Sequence, residues 1–183
     1  ALSPKLWLYT NFDCNLKCSY CVTKSTPTAP RRALGLTHVK RAVDEAVALG
    51  FRDLFFTGGE PFILDEIHEM LAYASARMNT TVLNNALHLK GRSLDRLCDA
   101  ANENLTVQAS LDGSRPEEHD PYRGEGTWAR TVASVEALLA RGVQVSISTT
   151  ETPANSAHID ELRRFLRSLG IPAEDHLVRP LAK

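Results

Sequence analysis

Short apolar runs alternate with amphipathic segments along this chain, and this alternation limits the folds that are open to it. Most of the runs are nearly continuous, as is typical of parallel strands that are covered by helices. We predict six strands, at residues 5–10, 53–57, 80–84, 105–111, 143–149 and 176–179. Repeated strand–helix units of this kind place the chain in the α/β class.

Five amphipathic segments, with apolar residues at helical spacing, lie between the predicted strands. We predict helices that begin near Thr37, Ile67, Ser93, Thr127 and Asn155. Ser93 has the side chain of a helix N-cap. Gly50, Gly142 and Gly170 follow three of the segments, where glycine suits the left-handed residue that ends a helix.

The number of units decides the predicted architecture. A closed eight-stranded barrel typically needs about 250 residues, whereas six strands and five helices fill the 183 residues of this chain. We therefore predict a partial, open, TIM-like (β/α)6 barrel that forms a single domain over residues 1–183. A doubly wound sheet stays open, because alternation alone does not fix strand order. Only residues 180–183 follow the sixth strand, so we expect a chain truncated there, without its final helix or any C-terminal domain.

Composition argues against several classes of function. Lys plus Arg number 21 and Asp plus Glu number 22, for a net charge of -1, so no basic surplus indicates a nucleic-acid partner. No apolar run approaches the roughly 18 residues of a membrane helix, and the N-terminus lacks a secretory pattern. Three of the four cysteines crowd into one loop, which favours metal or redox chemistry in a reducing compartment. We expect a cytoplasmic protein without a membrane partner.

Cys14, Cys18 and Cys21 stand within eight residues, just after the first predicted strand. Iron–sulfur clusters normally take four cysteine thiolates, so three thiolates without a nearby fourth imply an iron that is free to bind another ligand. A zinc site completed by His38 is the alternative, although no second Cys or His pair has zinc-ribbon spacing. Cys98 lies on an apolar helical face, and we expect it to behave as a small buried hydrophobe.

Polar clusters also follow the second and third predicted strands, and parallel strands bring such clusters to one rim. Gly58 and Gly59 would let the backbone approach a ligand, and Glu60 offers a carboxylate suited to an ammonium group. The alternative is a glycine turn with a solvated glutamate. Asn84 ends the third strand. Asn84 and Asn85 either contribute to the site or serve only as turn formers, with Asn85 in a left-handed conformation.

The fourth predicted strand ends in Ser110-Leu-Asp112-Gly, and Arg123-Gly stands before the next helix. A guanidinium pairs bidentately with a carboxylate, which makes Arg123 a candidate ligand for one; a surface pair with Glu125 is the alternative. Asp112 is suited to an Asx turn into Gly113. We expect the intervening residues His119 and Asp120 to order a loop.

The spacing Cys-x-x-x-Cys-x-x-Cys, joined to Gly-Gly-Glu-Pro after the second strand, resembles the radical S-adenosylmethionine (SAM) superfamily over essentially the whole chain. The resemblance implies a 4Fe-4S cluster on Cys14, Cys18 and Cys21, with SAM on the fourth iron. It also implies reductive cleavage of SAM to a 5′-deoxyadenosyl radical, which abstracts hydrogen from a substrate. An electron donor of the flavodoxin or ferredoxin type would be needed.

The resemblance further implies which residues contact SAM. Tyr20 would meet the adenine, the Gly-Gly-Glu segment the amino group, and Ser110 with Arg123 the carboxylate. Asp112 would accept a hydrogen bond from a ribose hydroxyl, unless it only forms the Asx turn. The match at Asn84 is partial, because Asn85 stands where the family's Thr-Asn-Gly motif has glycine. The full set of expected cofactor contacts is Tyr20, Gly58, Gly59, Glu60, Asn84, Ser110, Asp112 and Arg123.

The stretch from Ser-Leu-Asp-Gly through His-Asp to Arg-Gly is similar to the peptide- and protein-modifying branch of the superfamily, which includes anaerobic sulfatase-maturing enzymes and ribosomal peptide maturases. This similarity implies an enzyme that acts on a peptide or protein side chain. Two alternatives stay open. One is a radical SAM enzyme of small-molecule cofactor or modified-base biosynthesis, and the other is a non-catalytic metal-binding module.

Overall fold

The order of the strands in the sheet follows the order of the chain. The structure, a computed structural model, describes residues 4–181; the outermost residues of the predicted domain, 1–3 and 182–183, lie outside the described part. The described residues form six strands: β1 (Lys5–Tyr9), β2 (Asp53–Thr57), β3 (Asn79–Asn84), β4 (Leu105–Ser110), β5 (Gln144–Glu151) and β6 (His176–Pro180). Each pairs in parallel with the next.

This strand order decides between the two predicted architectures. A doubly wound sheet reverses its strand order partway across, whereas this sheet runs from β1 to β6 without reversal. The sheet is therefore a curled half-barrel with helices on one side, and the predicted partial TIM-like fold is confirmed. Every predicted strand boundary lies within two residues of the observed one. In the described residues, no helix has the length and apolar character needed to cross a membrane.

The helices include one that the sequence pattern did not predict. Six α-helices lie in the described residues: α1 (Leu36–Ala48), α2 (Ile67–Ser75), α3 (Gly91–Ala100), α4 (Pro116–Arg123), α5 (Thr127–Ala140) and α6 (Ile159–Ser168). Helix α4 replaces the loop expected around His119. Pro116 fits its first turn, where no N–H is needed, and two acidic residues there favour the helix dipole. The internal Pro121 and the scarcity of apolar residues hid this helix.

Helix ends confirm three expectations and correct one. Gly50, Gly142 and Gly170 have φ of 81°, 73° and 90°, the left-handed conformation expected after a helix. The expected cap at Ser93 is wrong, because α3 begins at Gly91 after Lys90 and has no side-chain cap. The Ser93 carbonyl lies 2.9 Å from the His68 ring instead.

The two faces of the sheet differ in polarity. On β2, Leu54 and Phe56 are fully buried under the helices, while the alternate residues are only half-buried. On β5, Val145 and Ile147 point toward the helices, whereas Ser148 lines a cavity on the concave side. The strands therefore alternate more than the sequence interpretation assumed, because the concave face of an open barrel borders a cavity rather than a second layer of helices.

We predict that Leu54→Ala lowers the free energy of unfolding by about 2–5 kcal/mol, because the substitution leaves a cavity under α1 and α2. Leu49→Ala is the matched control, since Leu49 is 75% exposed, and its effect should stay within about 0.5 kcal/mol. Urea denaturation followed by circular dichroism measures both. Equal effects would show that β2 is not packed as described.

Candidate cofactor site

One cavity of about 370 Å³ opens at the carboxyl ends of the strands. Its volume falls in the range typical of small-molecule sites. Nine of the eleven predicted metal and cofactor residues line it: Cys14, Cys18, Tyr20, Cys21, Gly59, Glu60, Asn84, Ser110 and Arg123. Gly58 and Asp112 are absent from its lining, so the structure brings most, but not all, of the predicted residues together.

Backbone hydrogen bonds shape the cysteine loop. The N–H of Cys14 donates to the carbonyl of Thr26 (3.2 Å), so the loop doubles back on itself. The N–H groups of Leu16 and Ser25 each lie 3.4 Å from a thiol sulfur, that of Cys14 and that of Cys21 respectively. Such N–H groups directed at sulfur help to stabilise thiolates that are bound to iron.

Two of the three thiols, those of Cys14 and Cys18, have raised pKa values in this setting. Burial raises the pKa of Cys14 to about 12, and the neighbouring Glu60, Cys18 and Cys21 add to the rise. Burial also raises the pKa of Cys18, against the opposing effect of Arg123. A positively charged metal centre would supply the charge that lets these thiols ionise, because thiolates rather than thiols are the ligands.

The three thiols stand farther apart than the ligands of a single zinc ion do. Four ligands around zinc, with Zn–S bonds of about 2.3 Å, stand about 3.8 Å apart. In the described residues, the one group of three ligand atoms within 4.8 Å of one another is Glu118, His158 and Glu161, which excludes the cysteine loop. His38, the proposed fourth zinc ligand, lies exposed on α1 and does not line the cavity.

Glu60 is a buried carboxylate without a positive partner in the part of the chain that the structure describes. Its side chain is 1% exposed and accepts hydrogen bonds from the N–H groups of Phe62 (3.0 Å) and Asn85 (2.8 Å). Burial raises its pKa to about 7, against these two hydrogen bonds. The alternative of a solvated glutamate is wrong. The cavity therefore presents an acidic group that a cationic ligand would stabilise.

Gly58 and Gly59 allow the β2 loop to pack against the start of the cysteine loop. Gly58 has φ of 152°, and a Cβ there would stand 2.5 Å from the Asn11 carbonyl oxygen. A Cβ on Gly59 would stand 2.0 Å from the Asp13 carbonyl oxygen. The N–H groups of Gly59 and Glu60 donate to these same two carbonyls. The close approach made by these glycines is thus to the protein's own backbone.

Asp112 lies at the centre of a buried network that holds the cysteine loop. Its carboxylate accepts hydrogen bonds from the Tyr20 hydroxyl, from the Arg123 guanidinium (Nε 2.6 Å, Nη2 3.3 Å) and from the Thr150 N–H (2.9 Å). Burial alone would raise the pKa of Asp112, but Arg123 and these hydrogen bonds hold it below its ordinary value. The network joins the cysteine loop, α4 and β5.

Helix α4 supports this network through its other residues. The His119 Nδ1 accepts a hydrogen bond from the Asp112 N–H (3.0 Å), and Asp120 accepts from the N–H groups of Gly126 and Trp128 at the start of α5. The side chain of Arg123 is 9% exposed. The alternative of a surface pair with Glu125 is therefore wrong.

The two asparagines at the carboxyl end of β3 act in different ways. Asn84 accepts a hydrogen bond from the Ala86 N–H (2.8 Å) while it lines the cavity. The expectation of a left-handed Asn85 is wrong, because Ala86 is the residue with positive φ, at 64°. Asn85 lines the cavity as well, and its Nδ2 donates to Asn15 in the cysteine loop (2.8 Å).

Sequence reasoning missed the contribution of β5. Ser148 and Thr150 line the cavity, although no residue of this strand was a candidate. The signal that points to them is the alternation Val145-Ser146-Ile147-Ser148, in which hydroxyl side chains interrupt an otherwise apolar strand. Arg179 on β6 also lines the cavity.

We predict that Asp112→Asn lowers the free energy of unfolding by about 3 kcal/mol near neutral pH, because it leaves the Arg123 charge buried without its partner. Tyr20→Phe should cost less, about 1–2 kcal/mol. The stabilisation due to a lowered pKa is complete above the ordinary carboxyl pKa near 4 and disappears as the pH falls through the folded-state value. The unaltered protein and Asp112→Asn should therefore converge in their free energies of unfolding in acid, as measured by urea denaturation across pH. Parallel curves would contradict the assignment.

Comparisons with known proteins agree with this geometry. A family model described as "Radical SAM superfamily" matches residues 8–166. The AdoMet-dependent heme synthase of Methanosarcina barkeri (strain Fusaro / DSM 804) is 30% identical over 162 residues, which cover 87% of this chain and 46% of that protein. The antilisterial bacteriocin subtilosin biosynthesis protein AlbA of Bacillus subtilis (strain 168) is 29% identical, over 87% of this chain and 36% of that protein.

A solved structure shares the fold. Streptococcus suis SuiB bound to S-adenosylmethionine matches with a TM-score of 0.86 and 21% sequence identity, over 100% of this chain and 41% of that chain. The chain thus spans less than half the length of these relatives.

Proposed function

Since this chain belongs to the radical SAM superfamily, we propose that it is the core of an enzyme that binds a 4Fe-4S cluster on Cys14, Cys18 and Cys21. SAM would occupy the cavity beside these thiols. Together the two groups would supply a 5′-deoxyadenosyl radical that takes a hydrogen atom from the substrate, while the protein supplies position and electrostatics. The observation that carries the proposal is that three thiols and the buried Glu60 carboxylate, which has no cationic partner in residues 4–181, line one cavity.

Two charged side chains suit the two ends of an amino acid. Glu60, without a cation of its own in residues 4–181, is assigned to the SAM ammonium group. Arg123 is assigned to the carboxylate, together with Ser110 at the end of β4. A guanidinium has five N–H donors, and Arg123 uses its Nε and Nη2 on Asp112. Its other donors remain for a ligand.

The remaining candidates take supporting roles. Tyr20 commits its hydroxyl to Asp112, which leaves its backbone and ring for the adenine. Asp112 is assigned to positioning rather than to a ribose contact, because its carboxylate is 0% exposed and engaged by three partners. Asn84 and the backbone of Gly59 complete the wall of the cavity, and Gly58 supports it from behind.

A peptide or protein side chain is the substrate class that we propose first. The concave side of the sheet carries stacked aromatic pairs, Trp7 on Phe55 (4.4 Å between ring centroids) and Tyr9 on Phe12 (6.1 Å). Trp7 and Tyr9 are 42% and 47% exposed, so they offer a surface to a bulky substrate. AlbA, a relative named for bacteriocin biosynthesis, supports this class.

A small-molecule substrate is the second candidate, and the heme synthase relative favours it. Deuterium transfer separates the two classes. A peptide substrate labelled at a side-chain carbon would pass deuterium into 5′-deoxyadenosine, whereas for a small-molecule enzyme only a labelled tetrapyrrole or similar compound would do so.

We also propose that the protein works in the cytoplasm and receives its electron from a carrier protein. The four cysteines are free thiols in the structure, which fits the reducing conditions of the cytoplasm. Cleavage of SAM needs one electron, so we include a flavodoxin- or ferredoxin-type donor in the proposal. No nucleic-acid or membrane partner is proposed.

We predict that the protein, reconstituted anaerobically with iron and sulfide, releases 5′-deoxyadenosine from SAM when dithionite is added. Cys18→Ala should abolish both the cluster absorbance and the product, because a thiolate ligand is lost. Cys98→Ala should retain both, since Cys98 lies on α3 outside the cavity. A correctly loaded protein that gives no product by chromatography would refute the proposed function.

We predict that Glu60→Gln weakens SAM binding about tenfold or more, because a charge-assisted hydrogen bond to the ammonium group is lost. Cluster content should not change. Glu69→Gln, an equal charge change at an exposed residue of α2, is the control. Isothermal titration of the loaded proteins measures the affinities. Unchanged affinity in Glu60→Gln would show that the ammonium group binds elsewhere.

The obvious Arg123→Ala test is less clean than the sequence alone indicates. This substitution would leave the buried Asp112 carboxylate without its positive partner. It would therefore combine a loss of SAM binding with a loss of stability.

A further inference from the structure

Charge is unevenly distributed along this nearly neutral chain. Residues 14–43 contain six Lys and Arg and no Asp or Glu, although the chain has 22 acidic residues in all. Because the whole chain carries -1 and this segment +6, the rest carries -7. The basic segment begins at the first cysteine of the cavity and runs into α1.

Three of these basic residues lie in the cysteine loop or close to it in the chain. Lys17 stands between Cys14 and Cys18, and the Lys24 N–H donates to the carbonyl of Cys21 (3.0 Å). The Arg32 guanidinium lies over the ring of Phe12, 4.7 Å from the ring centroid. Phe12 stands two residues before Cys14 in the chain.

These three side chains are available to a partner. Lys17, Lys24 and Arg32 are exposed, and no carboxylate of residues 4–181 lies within 4.0 Å of them. Arg31 is different, because its Nε pairs with Asp13 at 3.1 Å. We call Lys17, Lys24, Arg32 and the apolar Val22 the loop face.

Val22 is the apolar member of the loop face, and it also borders the cavity. It follows Cys21 directly and is 80% exposed, the largest exposed fraction of any large apolar residue in the described chain. Electron-transfer complexes typically have small interfaces. In complexes between oppositely charged surfaces, the charges mainly raise the rate of association. A small apolar contact within a basic surround fits such a complex with an acidic partner.

We propose that the loop face is the docking surface for an acidic one-electron carrier protein. This inference rests on the proposed function, because it is SAM cleavage that requires an electron at these thiols. In the transfer, a reduced flavin carrier would pass one electron to the protein-bound cluster. The anionic flavin hydroquinone becomes the neutral semiquinone, and no bond forms or breaks.

Charge reversal tests the loop face. The variants are Lys17→Glu and Arg32→Glu, the second of which lies outside the cysteine motif. Arg164→Glu is the matched control, with the same charge change on the exposed side of α6. The probe is a purified acidic flavodoxin reduced to its hydroquinone, and cluster bleaching in a stopped-flow instrument gives the rate. Surface plasmon resonance with the oxidised flavodoxin gives binding independently of activity.

We expect each loop-face variant to lower the association rate about tenfold or more at low ionic strength, in the range of electrostatic steering. The difference from the unaltered protein should shrink as ionic strength approaches about 1 M, where charges are screened within about 3 Å. Arg164→Glu should behave as the unaltered protein does. With dithionite in place of flavodoxin, all of the proteins should form 5′-deoxyadenosine equally.

The outcomes separate the two proposals. If both loop-face variants accept electrons from flavodoxin at the unaltered rate, the docking proposal is wrong, whatever dithionite gives. If they lose affinity for an acidic peptide substrate but not for flavodoxin, the face belongs to the substrate and the docking proposal is again wrong. If the unaltered, loaded protein gives no 5′-deoxyadenosine with dithionite, the proposed function fails while the flavodoxin rates remain measurable.

Discussion

The salt bridge between Asp112 and Arg123 is the interaction on which the cavity depends. Each charge would be costly to bury alone, and each makes the burial of the other tolerable. The same carboxylate also accepts a hydrogen bond from Tyr20 in the cysteine loop and one from the backbone of β5. One buried ion pair therefore sets the position of the loop that carries the three thiols relative to the barrel rim.

Two buried acids in this region have opposite surroundings. Asp112 has a cation within the protein and a lowered pKa, whereas Glu60 has only backbone N–H partners and a raised one. A buried carboxylate that lacks an internal counter-charge is stabilised by a cationic ligand, while one already paired is not. From this contrast we propose a positioning role for Asp112 and ligand binding for Glu60, although both residues are acidic and both follow the carboxyl ends of strands in the same sheet.

The sequence predicted the repeating units well, because helical and extended periodicities are local properties. Periodicity alone left the strand order open between two architectures, because that order depends on pairing between residues at least 25 positions apart. It missed α4, since Pro121 and polar residues hide the helical pattern. The cysteines and Glu60 were found from residue type and spacing. The side chains that bind Asp112 were not predicted from the sequence. Tyr20 lies 92 residues away from Asp112, and its hydroxyl could equally have faced a ligand.

A sheet whose strands pair in chain order has a consequence for the way the protein is made. Each strand–helix unit packs mainly on the unit before it, so the domain can assemble progressively as it leaves the ribosome. The cysteine loop belongs to the first unit, but its anchors on Asp112, Arg123 and Thr150 are synthesised only after three further strands. The thiols are thus the earliest part of the cavity to be made and among the last to be fixed in place.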